Sequence, residues 1–354
     1  MFLASLSDMH LGSPNTTRAH REGIASCLDH LRGMGLTHLV LSGDILDNWT
    51  APAEVLPPTY EEILVGDDLV IPALQRLSQS GVGIHYLLGN HDFDVDTDLF
   101  HKYLPDVRVA PYFTLGNLWV EHGHSYDLFN ACGPRIRNPD PAGGDRPLGY
   151  YITRIHTKAG RTGSTVNSSA YIQNSMRMVK EERRPGKWTV ATIVLDYVIR
   201  EAGLSYNDDV VMPDGSKIPI WAISEAYADI FRAWEEEKGL FDAIDAILVA
   251  IEYMNHAAQD VRTLQKKRLV IFGHSHQATW DDLTTGTQAV TGAYSNDGAW
   301  CKTPQTLTLV ELASKKYRVT QGVWDGKTIQ GDVKVISEGW PKKKPATFAP
   351  GRPR

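Results

Sequence analysis

The stretch FLASLSDMHLG, residues 2–12, is an apolar run followed at once by acidic and imidazole side chains. Phe2–Ser7 is short, apolar and bounded by a polar residue, Asp8, which is typical of a buried strand. Residues i and i+2 of an extended segment point the same way, so Asp8 and His10 are expected to face one site together. These residues therefore predict a buried strand with the beginning of a polar site at its end.

The same pattern recurs four times further along the chain. The apolar runs are Thr37–Ser42, Val82–Leu88, Leu118–Glu121 and Leu269–Phe272, and the polar residues after them are Gly43-Asp44, Gly89-Asn90-His91-Asp92, His122-Gly123-His124 and Gly273-His274-Ser275-His276. Helical spacing in Arg18–Met34 and Asp68–Ser78 separates the first three runs, and this order predicts βαβ units in a layered α/β fold. Because ligands bind beyond the carboxyl ends of such strands, the polar clusters are expected to converge.

Composition bounds the class of protein. The 354 residues carry a net charge of -6, so the overall charge gives no reason to expect nucleic acid, although a local basic groove remains open. The three cysteines, Cys27, Cys132 and Cys301, form no CxxC motif and are expected to be reduced thiols. No signal peptide is expected, and no stretch reaches the ~20 apolar residues of a membrane span. We expect a cytoplasmic protein, or one peripheral to a membrane.

Shifts in composition and in the spacing of apolar residues predict three segments of the chain. Residues 1–129 with 266–337 form the core, and 130–265 form a helical insertion or cap. A basic, Pro-rich tail, 338–354, is expected to be disordered. Within the insertion, apolar residues follow helical spacing from Ile223 to Trp234 and again, over a wide face, from Leu240 to Met254. The second helix is expected to pack within the insertion or on the core, with a dimer contact or an apolar-substrate cap as the alternative.

The residue types at the strand ends indicate a metal site. A single histidine at a strand end is more often a hydrogen-bonded core or surface residue, so each motif alone is a weak signal. Five motifs in order are specific, and imidazole with carboxylate suits Mn, Fe, Zn or Co better than Ca or Mg. The glycines at positions 43, 89, 123 and 273 are expected to let the backbone turn sharply and approach metal or substrate closely.

The five motifs resemble those of the calcineurin-like metallophosphoesterase superfamily. The resemblance covers residues 1–125 and 268–325, and Tyr294–Trp300 also resembles the segment after the last histidine motif of that family. It implies a four-layer αββα sandwich with two divalent metal ions, Mn first and Fe, Zn or Co as alternatives. One implied ligand set is Asp8, His10 and His276, the other is Asn90, His122 and His274, and the implied bridge is Asp44.

The resemblance also implies a reaction, the hydrolysis of a phosphoester by a metal-bridging hydroxide. His91 would contact the phosphate or protonate the leaving group, oriented by Asp47, for which a helix N-cap is the alternative role. His124 lies two residues after a ligand and could reach a metal or the substrate. We favour His122 as the ligand because the family pattern places the ligand before the glycine, and the choice between the two histidines stays open here.

The most similar subfamily is the UDP-2,3-diacylglucosamine diphosphatase type. Three segments match it: SDMHLGS (7–13), GDILDNW (43–49) and HGHSYD (122–127). The chain departs from it at His91, where that family commonly has Arg, at His124, where it has Asp, and in a longer insertion. The expected substrate is a phosphodiester or pyrophosphate such as a nucleotide-sugar lipid, and the departures leave the lipid part in doubt.

Two other functions stay open at this point. A nuclease or nucleotide phosphodiesterase is supported by a basic stretch, which a solvated loop would explain equally well: Arg135, Arg137, Arg146, Arg154, Lys158 and Arg161. We predict that Arg135, Arg137 and His124 contact substrate, a phosphorylated small molecule or lipid, with nucleic acid not favoured. A non-catalytic scaffold is disfavoured because every ligand position keeps a competent side chain. The sequence does not determine the oligomeric state.

Overall fold

The computed structural model of the chain describes residues 1–127, 129–132, 140–158, 189–238, 250–283, 292–313 and 316–337. The helices are α1 (Arg18–Gly33), α2 (Tyr60–Gly66), α3 (Val70–Gln79), α4 (Thr97–Tyr103), α5 (Leu148–Lys158), α6 (Val190–Glu201), α7 (Ile220–Lys238) and α8 (Ala250–Leu264). The first strands are β1 (Phe2–Leu6), β2 (His38–Ser42), β3 (Gly83–Leu87), β4 (Arg108–Ala110), β5 (Tyr112–Leu115), β6 (Leu118–Glu121), β7 (Asp209–Val211) and β8 (Lys217–Pro219). The later strands are β9 (Leu269–Phe272), β10 (Thr279–Leu283), β11 (Gly292–Asn296), β12 (Gln305–Ala313), β13 (Lys316–Trp324), β14 (Ile329–Gln330) and β15 (Val333–Ser337).

β1 lies in the middle of the first sheet. It pairs in parallel with β2 and antiparallel with β12, so that Leu3 is opposite both His38 and Val310. The strand order is β14-β13-β12-β1-β2-β3-β4, and β15 also pairs with β13. The second sheet has the order β10-β11-β9-β6-β5, with β9 parallel to both β6 and β11. All five predicted strand runs are confirmed.

The two sheets face each other across a shared apolar core. Leu3 and Val40 of the first sheet are fully buried with Leu118 and Ile271 of the second. Helices α1 and α3 cover the outer face of the first sheet, and α8 covers the outer face of the second. The predicted four-layer αββα arrangement is therefore confirmed.

Helix α1 shows why the outer layers form where the periodicity predicts them. Thr17 is its N-cap, and the Thr17 side chain accepts a hydrogen bond from a backbone N–H of the first turn, which would otherwise lack a partner. Ile24, Leu28 and Leu31 lie on one face and are buried against the sheet. The helical spacing predicted for this segment is thus confirmed.

The segment predicted as an insertion contains helices α5, α6 and α7 and the β7–β8 hairpin. These elements enclose an apolar core of their own, into which Trp49 and Ala53 project from the loop after β2. The helical spacing from Ile223 is confirmed by α7, whereas residues 239–249 of the second pattern and the tail lie outside the described residues. Helix α8, which ends the predicted insertion, packs on the second sheet through Met254 and Phe272.

Arg154 of α5 joins the insertion to the loop after β2. Its guanidinium, fully buried, donates hydrogen bonds to the carbonyl oxygens of Ala51 (2.7 Å), Pro52 (3.0 Å) and Val55 (2.6 Å). A further bond of 2.7 Å goes to the Tyr150 hydroxyl. Buried backbone carbonyls need donors, so this side chain holds the loop in place. None of the described helices is long and apolar enough to cross a bilayer.

Candidate metal centre

The polar motifs meet where the carboxyl ends of the two sheets adjoin. The Asp8 backbone N–H donates to the Gly43 carbonyl (3.0 Å), and the Gly273 N–H donates to the His122 carbonyl (3.0 Å). Asp8 Oδ2 also accepts a hydrogen bond of 3.0 Å from the backbone N–H of His274, which joins the first sheet to the second. The structure thus brings together residues that are up to 266 positions apart in sequence.

Backbone strain is concentrated in the same place. Six described non-glycine residues have positive φ, a region that costs residues with a Cβ of order 1–3 kcal/mol. Five of them belong to the motifs: Asp8 (55°), His10 (47°), Asp44 (55°), His274 (66°) and His276 (56°). Strain of this kind persists where the surroundings fix the conformation, and it clusters at functional sites.

Two motif glycines permit the close approach that the sequence predicted. A Cβ at Gly89 would lie 2.1 Å from Asp44 Oδ1, and a Cβ at Gly43, which has φ of 94°, would lie 2.4 Å from the His122 ring. Asp92 reinforces both loops because its carboxylate accepts hydrogen bonds from the backbone N–H groups of Gly89 (2.7 Å) and Ile45 (2.7 Å). Only glycine fits at positions 43 and 89 without displacing a candidate ligand.

We define the first donor cluster as Asp8, His10, His276 and Cys301. Asp8 Oδ1 lies 2.9 Å from His276 Nε2, and His10 Nε2 lies 3.1 Å from the same nitrogen. The Cys301 thiol belongs to the cluster as well, since its sulfur and one ring nitrogen of each histidine lie within 4.8 Å of one another. Four side chains from three distant segments therefore direct donor atoms at one point.

We define the second donor cluster as Asp44, Asn90, His122 and His274. His122 Nε2 lies 3.1 Å from Asn90 Oδ1 and 3.2 Å from Asp44 Oδ2. Asp44, His122 and His274 each offer a donor atom within 4.8 Å of the other two. Asp44 Oδ2 is also 3.9 Å from His10 Nε2, so this carboxylate lies between the two clusters.

The hydrogen bonds of the second donor cluster test whether it suits a cation. His122 Nδ1 is 2.9 Å from the Ser42 carbonyl oxygen, which can only accept, so Nδ1 carries a proton. In the neutral ring Nε2 is then a lone pair, and it faces two further acceptors, on Asn90 and Asp44. Burial opposes a charge on this ring, but the Asp44 carboxylate outweighs burial and raises the pKa of His122 to about 9. Three acceptor atoms that converge in this way suit a divalent metal ion.

The hydrogen bonds of the first donor cluster also indicate that it suits a cation. Asp8 is fully buried, and its Oδ1 receives no hydrogen bond. His10 Nδ1 lies 3.0 Å from Asp47 Oδ2 and donates to it, which leaves the His10 Nε2 lone pair directed at His276. A buried carboxylate oxygen without a donor is costly, and a cation between these side chains would remove that cost.

His91 lies beside both clusters and forms a further three-donor group with His10 and Asp44, whose donor atoms lie within 4.8 Å of one another. Its Nε2 is 4.0 Å from Asp44 Oδ2, and its Nδ1 is 3.1 Å from Asp47 Oδ1. The His91 ring stacks on the Trp49 indole at 4.0 Å between centroids. Asp47 is no helix cap, because the next helix, α2, begins at Tyr60 with Thr59 as its N-cap, and Asp47 Oδ1 accepts from the Trp49 N–H at 2.7 Å. That alternative is wrong, and the placement of Asp47 beside His91 fits an orienting role.

The predicted substrate-binding residues have different outcomes. His124 follows Gly123, its ring centroid lies 5.4 Å from that of His122, and it joins no three-donor group of the described residues. Burial lowers the pKa of His124, so its ring stays neutral. Arg135 and Arg137 lie outside the described residues. The geometry therefore favours His122 over His124 as a ligand.

Arg161 also lies outside the described residues, and the basic residues of the stretch that the structure describes, Arg146, Arg154 and Lys158, already have partners. Arg146 pairs with Asp94 at 3.2 Å, and Lys158 pairs with Glu54. Arg154 is buried against backbone carbonyls rather than exposed to a substrate. In the part of the chain that the structure describes, this stretch is neither a free phosphate-binding groove nor a solvated loop.

Three site residues were missed in the sequence. Asp127 accepts from His274 Nε2 at 3.0 Å, which fixes that ring and leaves its Nδ1 for a ligand. Asp297 accepts from Ser5 and Ser42 at 2.6 Å each, beneath the strand ends, and burial raises its pKa to about 6. Cys301 completes the first donor cluster. Asp127 stood inside the quoted motif HGHSYD and Asp297 inside the quoted segment Tyr294–Trp300, whereas Cys301 had no such signal.

Comparisons with known proteins give similarities of low identity. No family model matches the sequence, and no curated protein matches it. A dimetal phosphatase from Danio rerio is 11% identical with a TM-score of 0.41, covering 96% of this chain and 99% of its own. A predicted phosphoesterase from Streptococcus pneumoniae is 10% identical with a TM-score of 0.32, covering 95% and 97%. A Vps29 single mutant from Entamoeba histolytica is 9% identical with a TM-score of 0.35, covering 95% and 100%.

Proposed function

We propose that this chain is a metallophosphoesterase, a dinuclear metal-dependent hydrolase of phosphoester bonds. One observation carries the proposal: the two donor clusters share the Asp44 carboxylate, which lies between His122 and His10. The two-metal sites of phosphatases and nucleases hold their ions about 3.5–4 Å apart, which requires a ligand common to both. The first ion would be held by Asp8, His10 and His276, and the second by Asn90, His122 and His274.

Two bound divalent ions would supply Lewis acidity at the phosphoryl oxygens and a water of lowered pKa. The chain's own residues hold the rest of the geometry. The His91 backbone N–H donates to Asp44 Oδ1 at 2.8 Å, so Asp44 presents its other oxygen to the clusters. His91 presents Nε2 on the same side, where it can give a proton to the leaving oxygen. Stacking on Trp49 and the Asp47 carboxylate fix the ring for that transfer.

The proposed substrate is a phosphodiester or pyrophosphate with an apolar portion, such as a nucleotide-sugar lipid. Trp49 supports this class because it lies between His91 and the apolar core of the insertion, where it contacts Tyr150 edge-on at 5.5 Å. The residues between 130 and 265 would then select what reaches the site. A nuclease or nucleotide phosphodiesterase is the alternative, and the paired state of Arg146 and Lys158 weighs against a long nucleic-acid groove.

Turnover with defined metals tests the proposal. The protein, stripped of metal and reloaded with Mn, Co or Zn, is offered bis-p-nitrophenyl phosphate and p-nitrophenyl phosphate. We expect hydrolysis that requires metal, faster on the diester, with two ions bound per chain by elemental analysis. An alkyl diphosphate diester and single-stranded DNA then separate the two substrate classes. A folded protein that binds two ions and hydrolyses none of these substrates would contradict the enzyme.

A further inference from the structure

Cys301 is held against the first donor cluster by the backbone. The N–H groups of Trp300 and Cys301 both donate to the Asp8 carbonyl at 3.0 Å, so the segment after β11 is fixed to the end of β1. The thiol lies among the side chains of His10 and His276. Cys27 and Cys132, in contrast, belong to no three-donor group of the described residues. The position of Cys301 therefore sets it apart from the other two thiols.

A second observation is a buried carboxylate oxygen in the same cluster that no hydrogen-bond donor satisfies. Asp8 Oδ1 is buried, receives no hydrogen bond, and faces His276 Nε2 at 2.9 Å. His10 Nε2 faces the same nitrogen at 3.1 Å, with its other nitrogen committed to Asp47. The carboxylate oxygen and the two ring nitrogens therefore converge while no hydrogen bond satisfies Asp8 Oδ1. Ligands around a cation are arranged in this way, and the Cys301 sulfur belongs to the same group of donor atoms.

We propose that Cys301 is a sulfur ligand of the ion in the first donor cluster and makes that position selective for zinc or another thiophilic ion. The inference rests on the proposed function, because it assigns one more donor to the same centre. Two nitrogens at 2.0–2.1 Å from a tetrahedral zinc lie roughly 3.3 Å apart, close to the 3.1 Å between the His10 and His276 nitrogens. A sulfur at about 2.3 Å from the same ion would join the Asp8 carboxylate, the two imidazoles and the shared Asp44 carboxylate.

The two donor clusters then differ in ligand softness. The second donor cluster offers two oxygens, from Asp44 and Asn90, beside its imidazoles, a set that accepts manganese. The first includes sulfur, which favours zinc, iron or cobalt over manganese and magnesium. Burial raises the pKa of the Cys301 thiol, but a coordinated thiol is deprotonated outright. The manganese expected from the sequence would accordingly hold for the second position, not the first.

Cobalt substitution tests the sulfur ligand with a readout independent of activity. The full-length protein loaded with Co²⁺ should show visible d–d bands from the bound ion and an intense near-ultraviolet sulfur-to-cobalt charge-transfer band. In Cys301→Ser the d–d bands should remain and the charge-transfer band should vanish. Cys27→Ala, which removes a thiol from the core of α1, should keep both and is the matched control.

The outcomes separate the two proposals. Visible bands without a charge-transfer band, or a charge-transfer band that survives in Cys301→Ser, would overturn the sulfur ligand and leave the metal centre standing. Absence of any bound cobalt would overturn both. If Cys301→Ser fails to show the native circular dichroism, Cys301→Ala replaces it in the same comparison.

Metal competition gives a second measurement. Loss of an outer-shell partner commonly weakens metal binding 10–100-fold, so loss of a direct sulfur ligand should weaken zinc binding at the tighter position by about 100-fold or more. Manganese affinity should change by less than about threefold, because manganese gains little from sulfur. Equilibrium dialysis of each ion against Cys301→Ser and Cys27→Ala measures both. An equal loss for zinc and manganese would contradict the selectivity.

Discussion

Two groups of histidines lie in the same pair of sheets and have opposite surroundings. The strand-end histidines, His10, His122, His274 and His276, follow the carboxyl ends of their strands. The His38–His85 pair lies on β2 and β3, away from those ends, with the rings stacked at 5.6 Å and with Phe113 against His85. Burial does not distinguish the groups, since His85 is 8% exposed and His10 is 6% exposed.

Charge distinguishes them. Burial, with His38 and Arg108 nearby, lowers the pKa of His85 to about 4, so its ring stays neutral. The strand-end histidines instead lie beside carboxylates: Asp44 raises the pKa of His122 to about 9 in spite of burial, whereas burial lowers the pKa of His276 although Asp8 opposes it. Burial alone makes a histidine part of the core, whereas burial beside carboxylates that lack other donors makes it a ligand.

The largest effect should come from Asp44, the carboxylate shared by both donor clusters. Asp44→Asn removes the negative charge between the two ions, so we expect both to bind more weakly and turnover of the diester to fall by about 10³-fold or more. Elemental analysis and initial rates measure the two effects. The exposed carboxylate of Asp106, changed to Asn, is the control. A fully metallated and active Asp44→Asn protein would remove the bridging role.

His91 should behave differently from the ligands. His91→Gln removes a proton donor but no ligand, so we expect kcat to fall by roughly 10²–10⁴-fold with metal content unchanged. The loss should be larger for a substrate with an alkyl leaving group than for one with p-nitrophenol, which leaves without protonation. A proportional loss of bound metal would instead make His91 a ligand.

Asp127 should separate the two donor clusters. Besides Phe129 and Asn130 it binds one candidate ligand, His274, so Asp127→Asn should weaken the ion of the second cluster about 10–100-fold and leave the first ion in place. Titration of the stripped protein with cobalt would resolve the two affinities. Equal weakening of both ions would show that the clusters do not act as separate positions.

The smallest effect should come from the His38–His85 pair. This pair should affect the stability of the fold and nothing else. The unfolded chain protonates His85 near its ordinary pKa of 6.5 but the folded chain only near 4, so stability is complete above about 6.5 and declines as the pH falls towards 4. His85→Phe should flatten this decline. The Tm of the variant minus that of wild type should be larger at pH 5 than at pH 7.5 by at least about 2 °C. The control, His256→Gln on the exposed side of α8, should leave the decline as it is in wild type. A decline unchanged in His85→Phe would assign the acid sensitivity elsewhere.

The sequence predicted the strands and the positions of the clusters because both depend on local order. An apolar run followed by glycine and a polar residue specifies where a buried strand ends, as at Gly43 and Gly89. Parallel strands then bring those ends to one edge without further information. The four layers follow from the same alternation of strands and helices.

Asp127, Asp297 and Cys301 could not be found in this way. Each acts through a partner that is far away in sequence, such as Asp8 for Cys301 and Ser5 for Asp297. A lone cysteine or aspartate has no periodicity that would mark it. Similarly, the sequence allows Arg154 to belong to a phosphate-binding stretch or to a solvated loop, because charge is visible in a sequence, whereas the loop carbonyls that bury it are not.

The pairing of β1 with β12 has a consequence for synthesis on the ribosome. Asp8 and His10 are made well before their partners, because the strand beside them includes Val310, and His276 and Cys301 also come later in the chain. At 5–20 residues per second, the early donors wait roughly 15–60 s for the late ones. A nascent chain that stops short of His274 carries no complete donor cluster, so metal capture has to wait until these later residues are made.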